Sequence, residues 1–156
     1  MAQLNEIYEF ENCEIIFRNF EGRQAKFNAA GKRNFCLILT DEEAESMSRD
    51  GWNVKSTTPK REDDPIRHYI KVNVNMDSRI PPKIYLIAGR RKTLLTADTV
   101  KELDYAEIKN VDAVIYPYHW ETDDGKEGLS AYLSKLYVEI IQDRFEEKYF
   151  GDEIEE

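Results

Sequence analysis

From Ile66 to Val74 apolar and polar residues alternate without a break. Ile66, His68, Ile70, Val72 and Val74 fall on one side, and Arg67, Tyr69, Lys71 and Asn73 on the other. Successive side chains of a strand point to opposite faces, so the pattern predicts a half-buried strand with an apolar inner face. Arg33–Thr40 (RNFCLILT) is apolar on both faces, as a central strand would be. Cys13–Phe20 is rich in β-branched and aromatic residues, and Lys26–Asn28 is expected to continue its ladder after a turn at Glu21-Gly22. Further strands are predicted at Trp52–Ser56, Lys83–Ala88, Val111–Trp120 and Ser130–Ile141. Strands of this number, separated by turn signals, indicate a barrel or a sandwich.

Short helices interrupt the strands. Asp41–Asp50 starts behind Thr40, with Glu43 placed to complete a capping box and Gly51 to end the helix. Ala97–Leu103 starts behind Thr96, with Leu95 and Val100 at staple positions. A third helix is expected at Gln142–Tyr149. Leu133–Phe145 also matches a helical period. The strand reading is preferred, because Gly125 and Gly128 in DDGKEG read as a hairpin turn joining it to Val111–Trp120. Thr57–Pro65 (TTPKREDDP) has no apolar residue to bury and reads as a flexible loop.

At 156 residues the chain fits a single domain, taken as 1–149, followed by an acidic tail at 150–156. It has no apolar run of roughly 18 residues and no signal-like start, so a soluble, cytoplasmic protein without a membrane partner is expected. Cys13 and Cys36 sit in apolar runs and read as packed, reduced thiols. With His68 and His119 they show no zinc-ligand spacing. No Gly-rich phosphate loop and no GxSxG occurs. Most acids lie on helix faces, in Glu62–Asp64 or near the end, and Asp112, Asp123 and Asp124 read as strand-edge and turn residues. No catalytic residue, no metal and no cofactor is therefore expected. The net charge is −9, but from Glu139 onward eight acids face only Arg144 and Lys148, which is two-thirds of it. An acidic arm on a nearly balanced body is a layout for interaction.

Candidate binding residues are more numerous. The outer face of Ile66–Val74 offers Arg67, Tyr69 and Lys71: cations for phosphates and a ring on which a base can stack. The first strand and its turn add Phe17, Arg18, Phe20, Arg23, Lys26 and Phe27, followed by Lys32 and Arg33. A turn at Gly89 presents Arg90, Arg91 and Lys92. Tyr116, Tyr118 and Trp120 share one face of their strand. Tyr132 and Lys135 differ in parity, so they require a bulge or face opposite sides. Plain structural roles compete with these. Phe17, Phe27 and Phe35 read as core, Arg90–Lys92 as a solvated turn, and Trp52 as packing the first helix against the sheet.

The segments Asn19–Gly22 (NFEG), Gly31–Phe35 (GKRNF), Gly51–Lys55 (GWNVK), Asp112–Trp120 (DAVIYPYHW) and Gly125–Ile140 (GKEGLSAYLSKLYVEI) resemble a family of small phage and prophage proteins. These look like OB-fold single-stranded-DNA-binding proteins, and the similarity runs from about Asn12 to Tyr149. The resemblance implies a five-stranded Greek-key barrel, with Ala97–Leu103 as the helix ahead of the last hairpin and Asp41–Asp50 as an insertion. Ligand would then cross the second and third barrel strands, where Arg67, Tyr69 and Lys71 lie. Acidic tails recur in such proteins as recruiters of replication partners. Asp152, Glu153, Glu155 and Glu156 resemble that design, although Glu156 stands where an apolar final residue is usual.

The expectation is therefore a mainly β, non-catalytic OB-fold protein that binds single-stranded DNA for phage replication or recombination, in the cytoplasm of the bacterial host. Its tail would meet replication or recombination proteins, and barrel edges or the tail would carry any homo-oligomer. A second class fits the net charge: an acidic interaction module that mimics DNA in the groove of a host nucleic-acid-binding enzyme.

Overall fold

The computed structural model describes residues 7–26 and 28–141. Its strands are β1 (Tyr8–Cys13), β2 (Ile15–Asn19), β3 (Arg33–Leu39), β4 (Lys55–Ser56), β5 (His68–Val74), β6 (Lys83–Ala88), β7 (Arg91–Leu95), β8 (Ile108–Glu121) and β9 (Glu127–Ile140). Helix α1 (Asp41–Arg49) precedes β4, and a 3-10 helix (Val100–Asp104) precedes β8.

The sheet order is β1-β8-β9-β5-β3-β2, with the β5·β9 pair parallel and the other pairs on this path antiparallel. The two ends of this order, β1 and β2, are separated in sequence by Glu14 alone. The sheet therefore begins and ends on the two halves of one bent strand and curls back on itself. Counting that strand once, with β3, β5, β8 and β9, gives the five-stranded OB-fold order expected from the sequence. Inward-facing residues of every strand except the exposed β4 meet in the core, where Phe20 stacks on Phe35 with ring centroids 5.3 Å apart. Leu37, Val72, Ile115 and Leu136 are fully buried around them.

Local chemistry accounts for the helices. Thr40 Oγ1 accepts from the Glu43 N–H at 3.1 Å, and Glu43 Oε1 accepts from the Thr40 N–H at 2.8 Å. This is the expected capping box, worth ~1 kcal/mol. Past the cap, Gly51 takes φ 98°, and Trp52 beyond it is buried, edge-on to Tyr8 at 5.1 Å. The helix expected at Ala97–Leu103 is instead the 3-10 turn Val100–Asp104. The Thr96 and Thr99 hydroxyls bond the Asp98 and Thr96 N–H groups, a local alternative to helix, and Asp104 is pinned from the far side by backbone donors. The apolar contacts foreseen there do form: Leu95, Val100 and Leu103 are all buried.

Other boundaries differ. The strand expected from Ile66 starts at His68, and Ile66 is 58% exposed. Thr57 and Arg67 bond each other's backbone ends and close the 58–66 loop before the strand begins. Of Trp52–Ser56 only Lys55–Ser56 is strand, and of Lys26–Asn28 only an isolated Ala25–Asn28 bridge remains. The residues beyond Gly89 are more than a solvated turn, because Arg91–Leu95 pairs along β6 as a hairpin arm. The helix expected at Gln142–Tyr149, the tail and Phe27 lie outside the described residues. Both cysteines are free, and burial pushes the Cys13 thiol up to about 12.

Candidate nucleic-acid interface

Outward positions of β5, β8 and β9 share one surface. Val72 faces Ala131 across the parallel β5·β9 pair and both are buried, so their neighbours Asn73 and Tyr132 both point out. Asn73 Nδ2 donates to Ala131 O at 3.2 Å and ties the two strands on this side. In β8, Ile115 and Pro117 are buried while Tyr116, Tyr118 and Trp120 alternate outward. In β9 the register slips between Leu133 and Lys135, so Leu133 and Leu136 are both buried. That bulge settles the parity conflict and brings Tyr132 and Lys135 to the same outer face.

Three tyrosines cluster there. Tyr116 stacks on Tyr132 at 5.9 Å and Tyr118 meets Tyr132 edge-on at 5.7 Å. Partial burial, with the Tyr132 phenol beside it, pushes the Tyr116 hydroxyl up. Trp120 lies against Gly128, so closely that a Cβ on Gly128 would stand 2.6 Å from its ring. Glycine is what lets the indole lie flat on the backbone. Between this hairpin and β5 runs a groove of about 560 Å³, walled by Lys55, Lys71 and Asn73 on one side and Trp120, Gly128 and Ser130 on the other. Among the described residues no carboxylate pairs with Lys55 or Lys71. Cys36 lies beneath them; burial raises its thiol, and the two ammonium groups oppose that shift.

Tyr69 continues the β5 row, and Phe17 meets it edge-on at 5.6 Å. Phe17 was expected in the core. It is 63% exposed instead, because the β2·β3 register slips between Ile16 and Asn19 and Phe17 takes φ 51°. Left-handed backbone costs a bulky residue ~1–2 kcal/mol and concentrates at functional sites. Phe17 was named from the sequence as a binding candidate but read as core, and Lys55 is the group that sequence reasoning missed. Lys55 was visible as an alternate position of a strand, but only its register opposite Tyr69 puts it on this face.

Several expected residues are not part of this groove. Arg67 Nη2 bonds Glu14 Oε1 at 2.5 Å, and that bond holds the guanidinium still more firmly charged. Arg33 Nη1 donates to Phe20 O at 2.8 Å, and Arg23 pairs with Glu21 and Asp104. Arg18 donates to Leu103 O and Ala106 O. Lys26 and Lys32 sit exposed in the β2–β3 loop, and Arg90 and Arg91 at the β6–β7 turn. Among the described residues no three His, Cys, Asp or Glu are grouped to hold a metal ion, and no helix is long and apolar enough to cross a membrane.

The model of a family described as a putative phage ssDNA-binding domain matches residues 1–154. The chain belongs to that family. Among solved structures, it is similar to the single-stranded DNA-binding protein from bacteriophage Enc34 in complex with ssDNA, at 12% identity and a TM-score of 0.56 over 89% of each chain. The same phage protein without DNA matches at 11% identity and a TM-score of 0.55, over 89% of this chain and 83% of that one. At such identity these likenesses speak for the fold. No curated protein matches the sequence.

Proposed function

We propose that this protein binds single-stranded DNA along the outer face of β5 and the β8–β9 hairpin, as a phage replication or recombination factor. The observation that carries the reading is the groove in which Lys55 and Lys71 face Trp120, with Tyr69 and Phe17 at one end and the Tyr116–Tyr118–Tyr132 cluster alongside. Ammonium groups without a carboxylate partner among the described residues are available to phosphates, and rings supply ~1–3 kcal/mol per stacked base. Such a site has little sequence preference, because every base offers a π-face. The family membership and the fold shared with a protein solved on ssDNA support the same reading. The acidic residues Asp152, Glu153, Glu155 and Glu156 are proposed to serve protein partners, by the family design.

The test is titration with a thymidine oligonucleotide at about 50 mM salt, where phosphate contacts count most. Wild-type protein is expected to retard the strand, with Trp and Tyr emission quenched by stacking. Tyr69→Ala with Lys71→Ala is expected to weaken binding at least about tenfold. Unchanged affinity in that double variant would remove these residues from the site. A wild-type protein that retards no strand would instead favour the acidic module that mimics DNA.

A further inference from the structure

The outer face of β9 does not end at the tyrosine cluster. Past the bulge it continues through Lys135 to Tyr137, and there β6 has replaced β5 as its neighbour. Lys83 stands opposite Lys135 and Tyr85 opposite Tyr137 in the parallel β6·β9 register. Ile84, Leu136 and Val138 are buried, so all four of these side chains lie on the outer side. Tyr85 stacks on Tyr137 with centroids 5.1 Å apart and planes at 14°. From β7, Lys92 Nζ lies 4.9 Å from the Tyr85 ring centre. Of the described acids on this side, Glu139 pairs with Lys109 at 3.8 Å, and Asp112 accepts from the Asn12 N–H at 2.9 Å.

The two halves of this face are continuous. Between them lies a shallow groove of about 350 Å³ walled by Tyr116, Leu133 and Ser134 on one side and Ile80–Pro82 on the other. Gly128, under Trp120, and Tyr137 are ~30 Å apart along β9 at ~3.3 Å per residue. That length matches about nine nucleotides stacked at ~3.4 Å each. It lies within the span of about 4–16 that one OB fold can hold.

We propose that Tyr85 and Tyr137, flanked by Lys83, Lys92 and Lys135, form a second stacking station that takes up the same DNA strand after it leaves the Trp120 hairpin. The inference rests on the proposed single-stranded-DNA binding and deepens it, because it assigns a length to the site. The station's charge supports a nucleic-acid occupant: one lysine lies over the stacked ring pair and two more share its face, in a chain whose net charge is −9. A stacked pair of rings is already ordered, so the two side chains lose little further entropy when a base joins them.

The experiment compares fluorescence anisotropy of a short thymidine oligonucleotide of about six residues with a long one of about twenty. The variant is Lys83→Glu with Lys92→Glu, both at exposed positions, and the control is Lys60→Glu with Lys101→Glu, which changes net charge equally. The variant is expected to bind the long strand at least about fivefold more weakly, with the slope of log K against log salt reduced by about 1.4. It should bind the short strand within about twofold of wild type, as should the control with both strands. An undiminished affinity for the long strand, or an equal loss on both lengths, would overturn the second station alone. A wild-type protein that binds neither length would overturn the DNA-binding reading itself.

Discussion

In the β2–β3 region, Arg18, Arg23 and Arg33 bond backbone carbonyls, and Arg23 also pairs with Asp104, whose side chain is 1% exposed. On the outer face of β4 and β5, Lys55 and Lys71 pair with no described carboxylate and stand in a groove opposite Trp120. Both regions are basic in sequence, and their cations end in opposite roles. A loop leaves carbonyls without ladder partners, and the planar five-donor guanidinium satisfies several of them at once. A regular strand satisfies its own backbone, so a lysine on its outer face keeps its charge for a ligand. The arginines act as clasps at the barrel end, and the lysines stand in the groove proposed to bind DNA.

The largest expected effect separates the two regions by stability. Asp104 accepts the Phe20 and Glu21 N–H groups at 2.7 and 3.1 Å as well as pairing with Arg23. Asp104→Ala strands those donors and should lower unfolding free energy by ~2–3 kcal/mol, measured by urea denaturation. Lys55→Ala with Lys71→Ala should change stability by less than ~0.5 kcal/mol. A comparable loss in the lysine variant would mean that the groove is structural after all.

Next comes affinity. Lys55→Ala with Lys71→Ala should weaken binding to a thymidine oligonucleotide about tenfold, or ~1.4 kcal/mol. The salt slope should fall by about 1.4, two phosphate contacts' worth. Gly128→Ala sharpens the picture of the groove wall. The added Cβ displaces the Trp120 ring, so tryptophan emission should shift to the red and affinity should fall by about threefold. An unshifted spectrum would show that the indole does not rest on the glycine in solution. The smallest effect belongs to the clasps: Arg23→Ala should leave affinity within about twofold of wild type at a temperature where the protein stays folded. A tenfold loss there would erase the distinction between clasp and receptor.

Periodicity along the chain was enough to place the inner and outer faces of β5 and β8, and Thr40–Glu43 announced α1 through side chains that act within a single turn. These features depend on neighbours a few residues apart, which is why one sequence reveals them. The β8–β9 hairpin was legible for the same reason, through its glycines and alternation. The opening strand β1 was not read, although Tyr8, Glu9, Phe10 and Glu11 alternate, because the alternation is short; nor was β7, whose leading cations resemble a solvated turn. Edge strands carry such charges and are read as loops.

What the tertiary structure alone decided is which of the plausible groups share a surface. Phe17 left the core through a one-residue slip against β3, and Lys135 joined the tyrosines through the bulge after Leu133. Arg67 pairs with Glu14, a partner more than fifty positions away. Bulges and long-range ion pairs arise from how strands meet, and no local pattern encodes them. The amino-acid order by itself determined a curled β-sheet with an aromatic, lysine-bearing outer side; register and pairing across the barrel determined which of those side chains share one surface.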